Sequence, residues 1–504
     1  MIRILEVHWD WTDSRSNLIS GNCLMNEITL IFAFLQYSLG GKVDMNNVVI
    51  DMNWQQLYSF ASKQSLLGFC FYGIERLGKE YPEELKQNPI GRELLMTWMG
   101  KAQQIRRQNM KVNAVAGKLF SMLREDGMRC CVLKGQGNAL MYPNPYSRTP
   151  GDIDVWIDAS RERIMEYAQK RFELGDDIRL QHLETSLDGV PVELHFFPCS
   201  MNNPIYHARL QKWFKRNADL QCSNVVSLPD GIGEIAIPTK AFNVIYQLTH
   251  LYHHFFDEGI GMRQIIDYYH VVCDFYKVYQ NSSKITPSLF TIKEGSTSHP
   301  DPLSMVFTPP SVPPFPGDRN LRGEGGNRPT RCSEPLRSKV GGPSKVSPDC
   351  AGWDRRGVSG DTSSVSCSSA SGSSITSVSS ASTTDPSAST ALVVVQRELK
   401  YLGLWKFAGA VMYVLKEVLG LSEDTMIVPV DEKRGRLLLA EILDGGNFGR
   451  HFTKYAGFTH QSMGKKYFLK IWRNMHFVRY YPAEALCEPL FRTWHFFWRL
   501  KYKK

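Results

Sequence analysis

A long stretch rich in Ser, Pro, Gly and Thr divides this chain of 504 residues and limits what can fold on either side of it. It covers residues 281–395 and includes a serine-rich tract at residues 363–380. Such a composition buries too little apolar surface to offset the entropy lost on ordering. We therefore predict a disordered insert, which a compact protein tolerates because the cost of closing a loop grows only logarithmically with its length.

Apolar residues recur at three- and four-residue intervals on both sides of the insert, which is the spacing of amphipathic helices. The pattern is clearest over residues 54–114, 241–279 and 398–421. It predicts three mainly helical parts: an N-terminal extension and helical region over residues 1–112, a helical region over residues 231–280 and a C-terminal helical region over residues 396–504.

The periodicity changes between these helical parts, over residues 113–230. A helix is predicted to end at Asp126-Gly127, where glycine can adopt the left-handed conformation of a helix C-terminus. Short strands follow near residues 129–133 and 153–157, and Ser160 is placed to cap the next helix. Two further strands flank Asp188-Gly189, a strong hairpin signal. These elements predict an α+β fold, with a small mixed-sheet core between helical regions.

Three carboxylates are predicted to meet on this sheet. Asp152 and Asp154 are two residues apart and so project from the same side of a strand. Glu193 lies on the hairpin strand, on the side that also carries His195, and joins the aspartates if the two strands are antiparallel neighbours. Oxygen ligands favour Mg²⁺ or Mn²⁺, and such a trio suits two-metal phosphoryl or nucleotidyl transfer. An isolated Asp-x-Asp pair is common at solvated strand ends, so the surrounding motifs are needed to identify it as a metal site.

The neighbouring runs point to a known family. They are Val132-Leu133-Lys134-Gly135, Leu140-Met141-Tyr142-Pro143, Arg148, Gly151-Asp152-Ile153-Asp154 and Val192-Glu193-Leu194-His195. With this order and content, residues 54–279 resemble the uncharacterised nucleotidyltransferase family of the DNA polymerase beta-like superfamily.

The resemblance implies a role for each motif. Asp152, Asp154 and Glu193 would be the catalytic and metal-binding residues, with Glu193 also able to accept the proton of an acceptor hydroxyl. Lys134 and Gly135 would bind the nucleotide where the superfamily has a Gly-Ser or Gly-Gly turn, a departure in which lysine supplies a point charge to phosphate. Arg148 would also contact phosphate, although an arginine at the surface of a Pro-rich loop is an equal alternative.

The implied function is metal-dependent transfer of a nucleoside monophosphate from a nucleoside triphosphate to a hydroxyl of a small molecule or protein. The alternative is a catalytically weak nucleotide-binding or protein-interaction module, which the nonstandard Lys134-Gly135 turn would suit.

Two groups on the predicted helices are interpreted as packing and pairing residues. His250, His253 and His254 have the spacing of a zinc site, but no acidic metalloprotease motif lies near, so a packed aromatic face is favoured. Arg263 and Asp267 are four residues apart and could pair along a helix.

Charge and targeting signals set the expected partners and location. The formal net charge of +9 favours an anionic partner such as a nucleotide, but the scattered basic residues argue against a nucleic-acid partner. The exception is the aromatic and basic run at residues 491–504, which could form a helix in peripheral contact with an anionic membrane. The charged N-terminus differs from a signal peptide, so we expect a cytoplasmic protein.

Overall fold

The computed structural model describes residues 27–174, 179–282, 386–451 and 463–502. The described residues fall in one compact unit. Most of the predicted insert, residues 283–385, lies outside the described residues. The predicted bounds of the insert are too wide, because the chain is helical up to Ser282 and again from Pro386 onward. Ala391 and Val395, within the predicted insert, are buried in a hydrophobic cluster.

Helices dominate the N-terminal region, as the apolar periodicity predicts. They are α1 (Glu27–Ser38), α2 (Asn46–Asp51), α3 (Trp54–Lys63), α4 (Leu67–Glu80), α5 (Pro82–Gln87) and α6 (Arg92–Glu125). Asn53 caps α3, its side chain accepting a hydrogen bond from Gln56 N at 3.1 Å. Helix α6 ends where predicted, because Gly127 adopts a φ of 69° and Met128 N donates back to Leu123 O.

The α+β core follows α6 and confirms the predicted fold class. Its elements are β1 (Cys130–Val132), α7 (Gln136–Ala139), β2 (Ile153–Ile157), α8 (Arg161–Arg171), β3 (His182–Leu187), β4 (Val190–His195), α9 (Pro204–Ser223), β5 (Val225–Ser227) and β6 (Glu234–Ala236). Strands β1 to β4 form a mixed sheet in the order β1-β2-β4-β3, and β5 and β6 form a separate pair. Ser160 caps α8 as predicted, accepting from Arg163 N.

The hairpin and its pairing partner differ in one respect from the sequence prediction. Asp188 and Gly189 have φ values of 50° and 70°, so they form the predicted tight turn between β3 and β4. Strand β4, however, pairs with β2 in parallel rather than antiparallel. Helix α8 connects β2 to β3, which lies at the edge of the sheet. The hairpin then reverses the chain, so β4 lies between β3 and β2 and runs parallel to β2.

The two faces of the sheet serve different purposes. Ile153, Val155 and Ile157 belong to an apolar cluster with α6, α8 and β6. Residues of the opposite parity, including Trp156, face the main hydrophobic cluster of the surrounding helices. Trp156 stacks on Phe242 with ring centroids 6.3 Å apart. Polar residues on this second face are therefore enclosed between the sheet and helices.

The remaining helices complete that enclosure. They are α10 (Lys240–Asp257), α11 (Met262–Ser282), α12 (Pro386–Tyr401), α13 (Trp405–Leu419), α14 (Glu432–Gly445), α15 (Met463–Met475), α16 (Pro482–Ala485) and α17 (Glu488–Tyr502). Helices α11 and α12, which flank residues 283–385, share one hydrophobic cluster with α10, α13 and α14.

The C-terminal helices are fixed to the core by polar contacts. Asn474 on α15 donates to Phe256 O at 2.8 Å. Glu484 on α16 is 2% exposed and accepts the backbone N–H groups of Asn202 and Asn203. Among the described helices, none has the length and apolar content needed to cross a membrane. Membrane contact and the cytoplasmic location both stay predictions.

The contact between α13 and α14 gives a first prediction about stability. A Cβ at Gly435 would overlap the side chain of Tyr413, so Gly435→Ala should lower the free energy of unfolding by about 1–3 kcal/mol. Gly78→Ala is the matched control, since an added Cβ in α4 meets open space and should raise that free energy by up to about 1 kcal/mol. Urea denaturation measures both, and equal effects of the two substitutions would contradict the described packing.

Glu484 gives a second prediction, on pH dependence. Burial raises the pKa of this carboxyl from 4.5 to about 7, against the lowering effect of its two backbone hydrogen bonds. The protonated form is favoured in the folded state, so this contribution is complete below pH 4.5 and is lost as the pH rises through 7.

The wild-type protein should therefore lose stability between pH 5 and 8 by about 2.5 kcal/mol more than Glu484→Gln does. Denaturation at a series of pH values measures the difference. Glu432→Gln, at an exposed glutamate of α14, is the control and should retain the wild-type slope. Parallel pH profiles for wild type and Glu484→Gln would disprove the assigned burial.

Candidate active site

The sheet brings together the three carboxylates that the sequence singles out. Asp152 directly precedes β2, Asp154 lies within it, and Asp154 is paired in register with Glu193 on β4. One oxygen from each of Asp152, Asp154 and Glu193 can be chosen so that all three atoms lie within 4.8 Å of one another. Asp154 is 1% exposed, whereas Asp152 and Glu193 are only partly covered. We call these three residues the carboxylate cluster.

Lys134 enters the cluster from the loop after β1. Leu133 N donates to Asp154 O at 2.9 Å, which holds this loop beside β2 and leaves Lys134 Nζ 3.1 Å from Asp154 Oδ1. Burial alone would lower the pKa of Lys134, but the charges of Asp154, Asp152 and Glu193 raise it above its ordinary value. Lys134 is therefore a fixed positive charge within the cluster.

Gly135 turns the chain immediately beyond this lysine. Its φ of 71° is in the region that favours glycine, and α7 begins at the next residue. A Cβ at this position would lie 3.7 Å from Asp152 O, so the turn passes beside the start of β2. The structure thus places Lys134 and Gly135 next to the carboxylates, while their contact with a nucleotide stays a prediction.

His195 is a second positive group in the cluster. Its Nε2 lies 3.1 Å from Asp154 Oδ1 and 3.2 Å from Glu193 Oε2. Burial opposes protonation, but these two acceptors outweigh it and raise the pKa of His195 to about 9. The imidazolium in turn helps to hold the pKa of Glu193 below its usual value, despite the opposing effect of burial.

His182 lies on the edge strand beside this histidine. The two rings are 5.0 Å apart, and His182 Nδ1 is 3.4 Å from Glu193 Oε2. Burial and the positive charge of His195 lower the pKa of His182 to about 2, so its ring is neutral. His182, Glu193 and His195 form a second group whose ligand atoms lie within 4.8 Å, overlapping the carboxylate cluster at Glu193.

Sequence reasoning assigned no role to His182 or His195. The strand alternation that placed Glu193 on the cluster face placed His195 there too, so the signal was present for that residue. His182 lacked any such signal. Its closeness to Glu193 and His195 depends on the register of β3 against β4, which pairs His182 with His195.

The cluster can accommodate a cation. Asp154 Oδ2 is buried and has no hydrogen-bond partner among the described residues. An unpartnered, buried carboxylate oxygen is costly unless a cation or donor satisfies it. With oxygens of Asp152 and Glu193 nearby, the donor set is the one that Mg²⁺ or Mn²⁺ prefers.

Lys134 also contacts the histidines of α10, through His250. His250 Nε2 lies 3.1 Å from Lys134 Nζ and 3.1 Å from His254 Nε2. Burial lowers the pKa of all three, so His250, His253 and His254 are neutral. No metal-binding group containing them occurs in the part of the chain that the structure describes.

Arg148 occupies a buried ion pair. Its Nε and Nη2 donate to the two oxygens of Asp267 at 2.8 and 2.7 Å, and Tyr142 Oη donates to the same carboxylate at 2.7 Å. Arg263, whose spacing would allow a pair with Asp267, donates instead to Thr149 O at 3.2 Å. Because Asp267 engages the guanidinium of Arg148, a contact of Arg148 with phosphate stays a prediction that this geometry does not favour.

Comparison with known proteins adds one finding to this geometry. Residues 51–280 match the model of a family described as "Uncharacterised nucleotidyltransferase". No curated protein and no solved structure matches the chain. The match includes every residue of the carboxylate cluster and confirms, for residues 51–280, the uncharacterised nucleotidyltransferase family that the motifs around Asp152 and Glu193 predict.

Proposed function

We propose that this protein is a divalent-metal-dependent nucleotidyltransferase, which moves a nucleoside monophosphate from a nucleoside triphosphate to a hydroxyl of a small molecule or protein. The family match supports nucleotidyl transfer as the reaction class. The observation that carries the proposal is the convergence of Asp152, Asp154 and Glu193 across the β2–β4 register, with Lys134 beside them.

Asp152, Asp154 and Glu193 are the residues that would hold Mg²⁺ or Mn²⁺. When bound, the ions neutralise negative charge on the phosphate oxygens and on the attacking and leaving oxygens. The orphaned Asp154 Oδ2 and the oxygen donors of its neighbours support this assignment.

The proposed step is attack of the acceptor hydroxyl on the α-phosphorus of the triphosphate. A new P–O bond forms, and the bond from the α-phosphorus to the oxygen that bridges to the β-phosphate breaks. Pyrophosphate leaves with that electron pair. Glu193, whose pKa is held low by His195, is ionised and is the proposed acceptor of the hydroxyl proton.

The basic groups of the site would orient the triphosphate. Lys134 is the proposed phosphate contact, since it is charged, buried and close to all three carboxylates. Gly135 allows the chain to turn beside Asp152, because its φ of 71° favours glycine and no side chain fills the space next to Asp152 O. Arg263, which contacts Thr149 O two residues before Gly151, supplies further positive charge to this loop.

A specific observation favours a second candidate, a catalytically weak nucleotide-binding or interaction module. Lys134 and His195 both contact Asp154 Oδ1, so two cationic groups already offset part of the cluster's negative charge. Such a site could persist without metal. The two candidates differ in the number of divalent ions bound with nucleotide, which calorimetry measures: two for the enzyme, fewer for the module.

Replacing the aspartates tests the proposed function. Calorimetric titration with ATP, and in parallel with the other nucleoside triphosphates, should show binding that requires Mg²⁺ and is abolished by EDTA. Asp152→Ala and Asp154→Ala should each weaken that binding at least tenfold, because each removes a carboxylate from the proposed metal site. Asp219→Ala is the matched control, since this aspartate is exposed and pairs only at the surface with Arg129.

Wild-type affinity in Asp219→Ala together with loss in the two cluster variants is the expected pattern. Nucleotide binding that is independent of metal and unchanged by Asp152→Ala and Asp154→Ala would exclude the proposed function.

A further inference from the structure

Two cavities lie between the core and the C-terminal helices. The first, of about 340 Å³, has a polar lining and is called the polar cavity here. The second, of about 420 Å³, is called the apolar cavity and is lined mainly by Phe197, Met201, Leu490 and Trp494. Both volumes fall in the range of small-molecule sites.

The polar cavity borders the cluster through His182. This residue lines the cavity, and its Nδ1 is 3.4 Å from Glu193 Oε2, the proposed proton acceptor. His253 also lines this cavity, and it lies on the same helix as His250, which contacts Lys134. A hydroxyl group bound against His182 would therefore be one side chain away from Glu193.

The two cavities adjoin each other, because Leu180, Asn202 and Phe491 line both. We call the two cavities together the cleft. The lining thus changes from charged side chains in the polar cavity to aliphatic and aromatic side chains in the apolar one.

Ion pairs and hydrogen bonds fix the walls of this cleft in place. Asp257 at the end of α10 contacts Lys470 of α15 at 2.8 Å and Arg492 of α17 at 3.1 Å. Glu484 holds the backbone of Asn202 and Asn203 on the other side. Helix α17 and the loop before α9 are therefore anchored on both sides of the cleft.

The charge of the polar cavity identifies the kind of group it fits. Its lining has three basic and three acidic side chains: Arg179, Lys470, Arg492, Asp257, Glu258 and Glu488. Such a balance favours a neutral hydroxyl-bearing group over an anion, and a triphosphate would be repelled by the acidic members. In the apolar cavity, Leu490 and Trp494 are 73% and 51% exposed, so a ligand there would cover apolar surface now open to water.

We propose that this cleft binds the acceptor, and that the acceptor is a neutral, amphipathic alcohol. Its hydroxyl-bearing head occupies the polar cavity against His182, the neighbour of Glu193, and its aliphatic or aromatic portion occupies the apolar cavity against Leu490 and Trp494. The inference rests on the proposed function for the identity of the reaction, but binding to the cleft is independent of nucleotide and metal.

Octyl glucoside tests the inference, because it joins a neutral polyol head to an apolar chain. Equilibrium dialysis of the radiolabelled compound, below its micelle concentration, should show saturable binding of one molecule per chain. Methyl glucoside, which lacks the chain, should bind at least tenfold more weakly. Leu490→Glu and Trp494→Ala should weaken binding of octyl glucoside about tenfold or more, since each alters the apolar wall.

Phe496→Ala and Phe497→Ala are the matched controls. Both residues are exposed on the same helix and line neither cavity, so wild-type binding is expected. Asp154→Ala should also bind octyl glucoside normally, which separates this inference from failure of the nucleotide site. Circular dichroism confirms that each variant is folded.

Two outcomes would overturn the inference. The first is equal binding, or no binding, by wild type, Leu490→Glu and Trp494→Ala. The second is uptake that does not saturate and falls equally in Phe496→Ala and Phe497→Ala, which would identify the exposed aromatic side chains of α17 as a membrane-contact surface instead.

Discussion

Mutual repulsion among Asp152, Asp154 and Glu193 is the physical constraint around which the core is arranged. The parallel register of β2 and β4 forces Asp154 and Glu193 together, and burial of Asp154 strengthens every charge interaction there. Lys134 and His195 offset part of the repulsion at one oxygen of Asp154. Its other oxygen is left without a partner among the described residues, which is what a cation site requires.

The helices around the sheet follow from this arrangement. Apolar side chains of one parity pack under the sheet, so the cluster face must be covered from above by α10 and the helices beyond it. That cover meets the cluster through His250, which contacts Lys134. Asp257 at the end of α10 forms ion pairs with two of the C-terminal helices, and the cleft proposed for the acceptor lies between these helices and the core.

Local patterns made much of the core predictable. Alternation placed Asp154 and Glu193 on sheet strands, and Asp188-Gly189 specified the hairpin. The parallel direction of β4 was not predictable, because it depends on where α8 returns the chain rather than on any local residue. The pairing of Arg148 with Asp267 was not predictable either, because the two residues are 119 positions apart. Arg263, only four residues from Asp267, was the partner that the sequence offered. The proposed cleft joins Leu180 to Trp494, a juxtaposition that periodicity cannot indicate.

The fate of the α-phosphate is the most direct measure of the central claim. The protein is incubated with cell lysate and Mg²⁺, using ATP labelled at either the α- or the γ-phosphate, with Asp154→Asn protein as the control. Nucleotidyl transfer predicts that the α-label becomes attached to an acceptor, while the γ-label leaves in pyrophosphate. Both effects should disappear with Asp154→Asn. Attachment of the γ-label to the acceptor, or labelling that Asp154→Asn leaves unchanged, would contradict the assignment of this carboxylate cluster to nucleotidyl transfer.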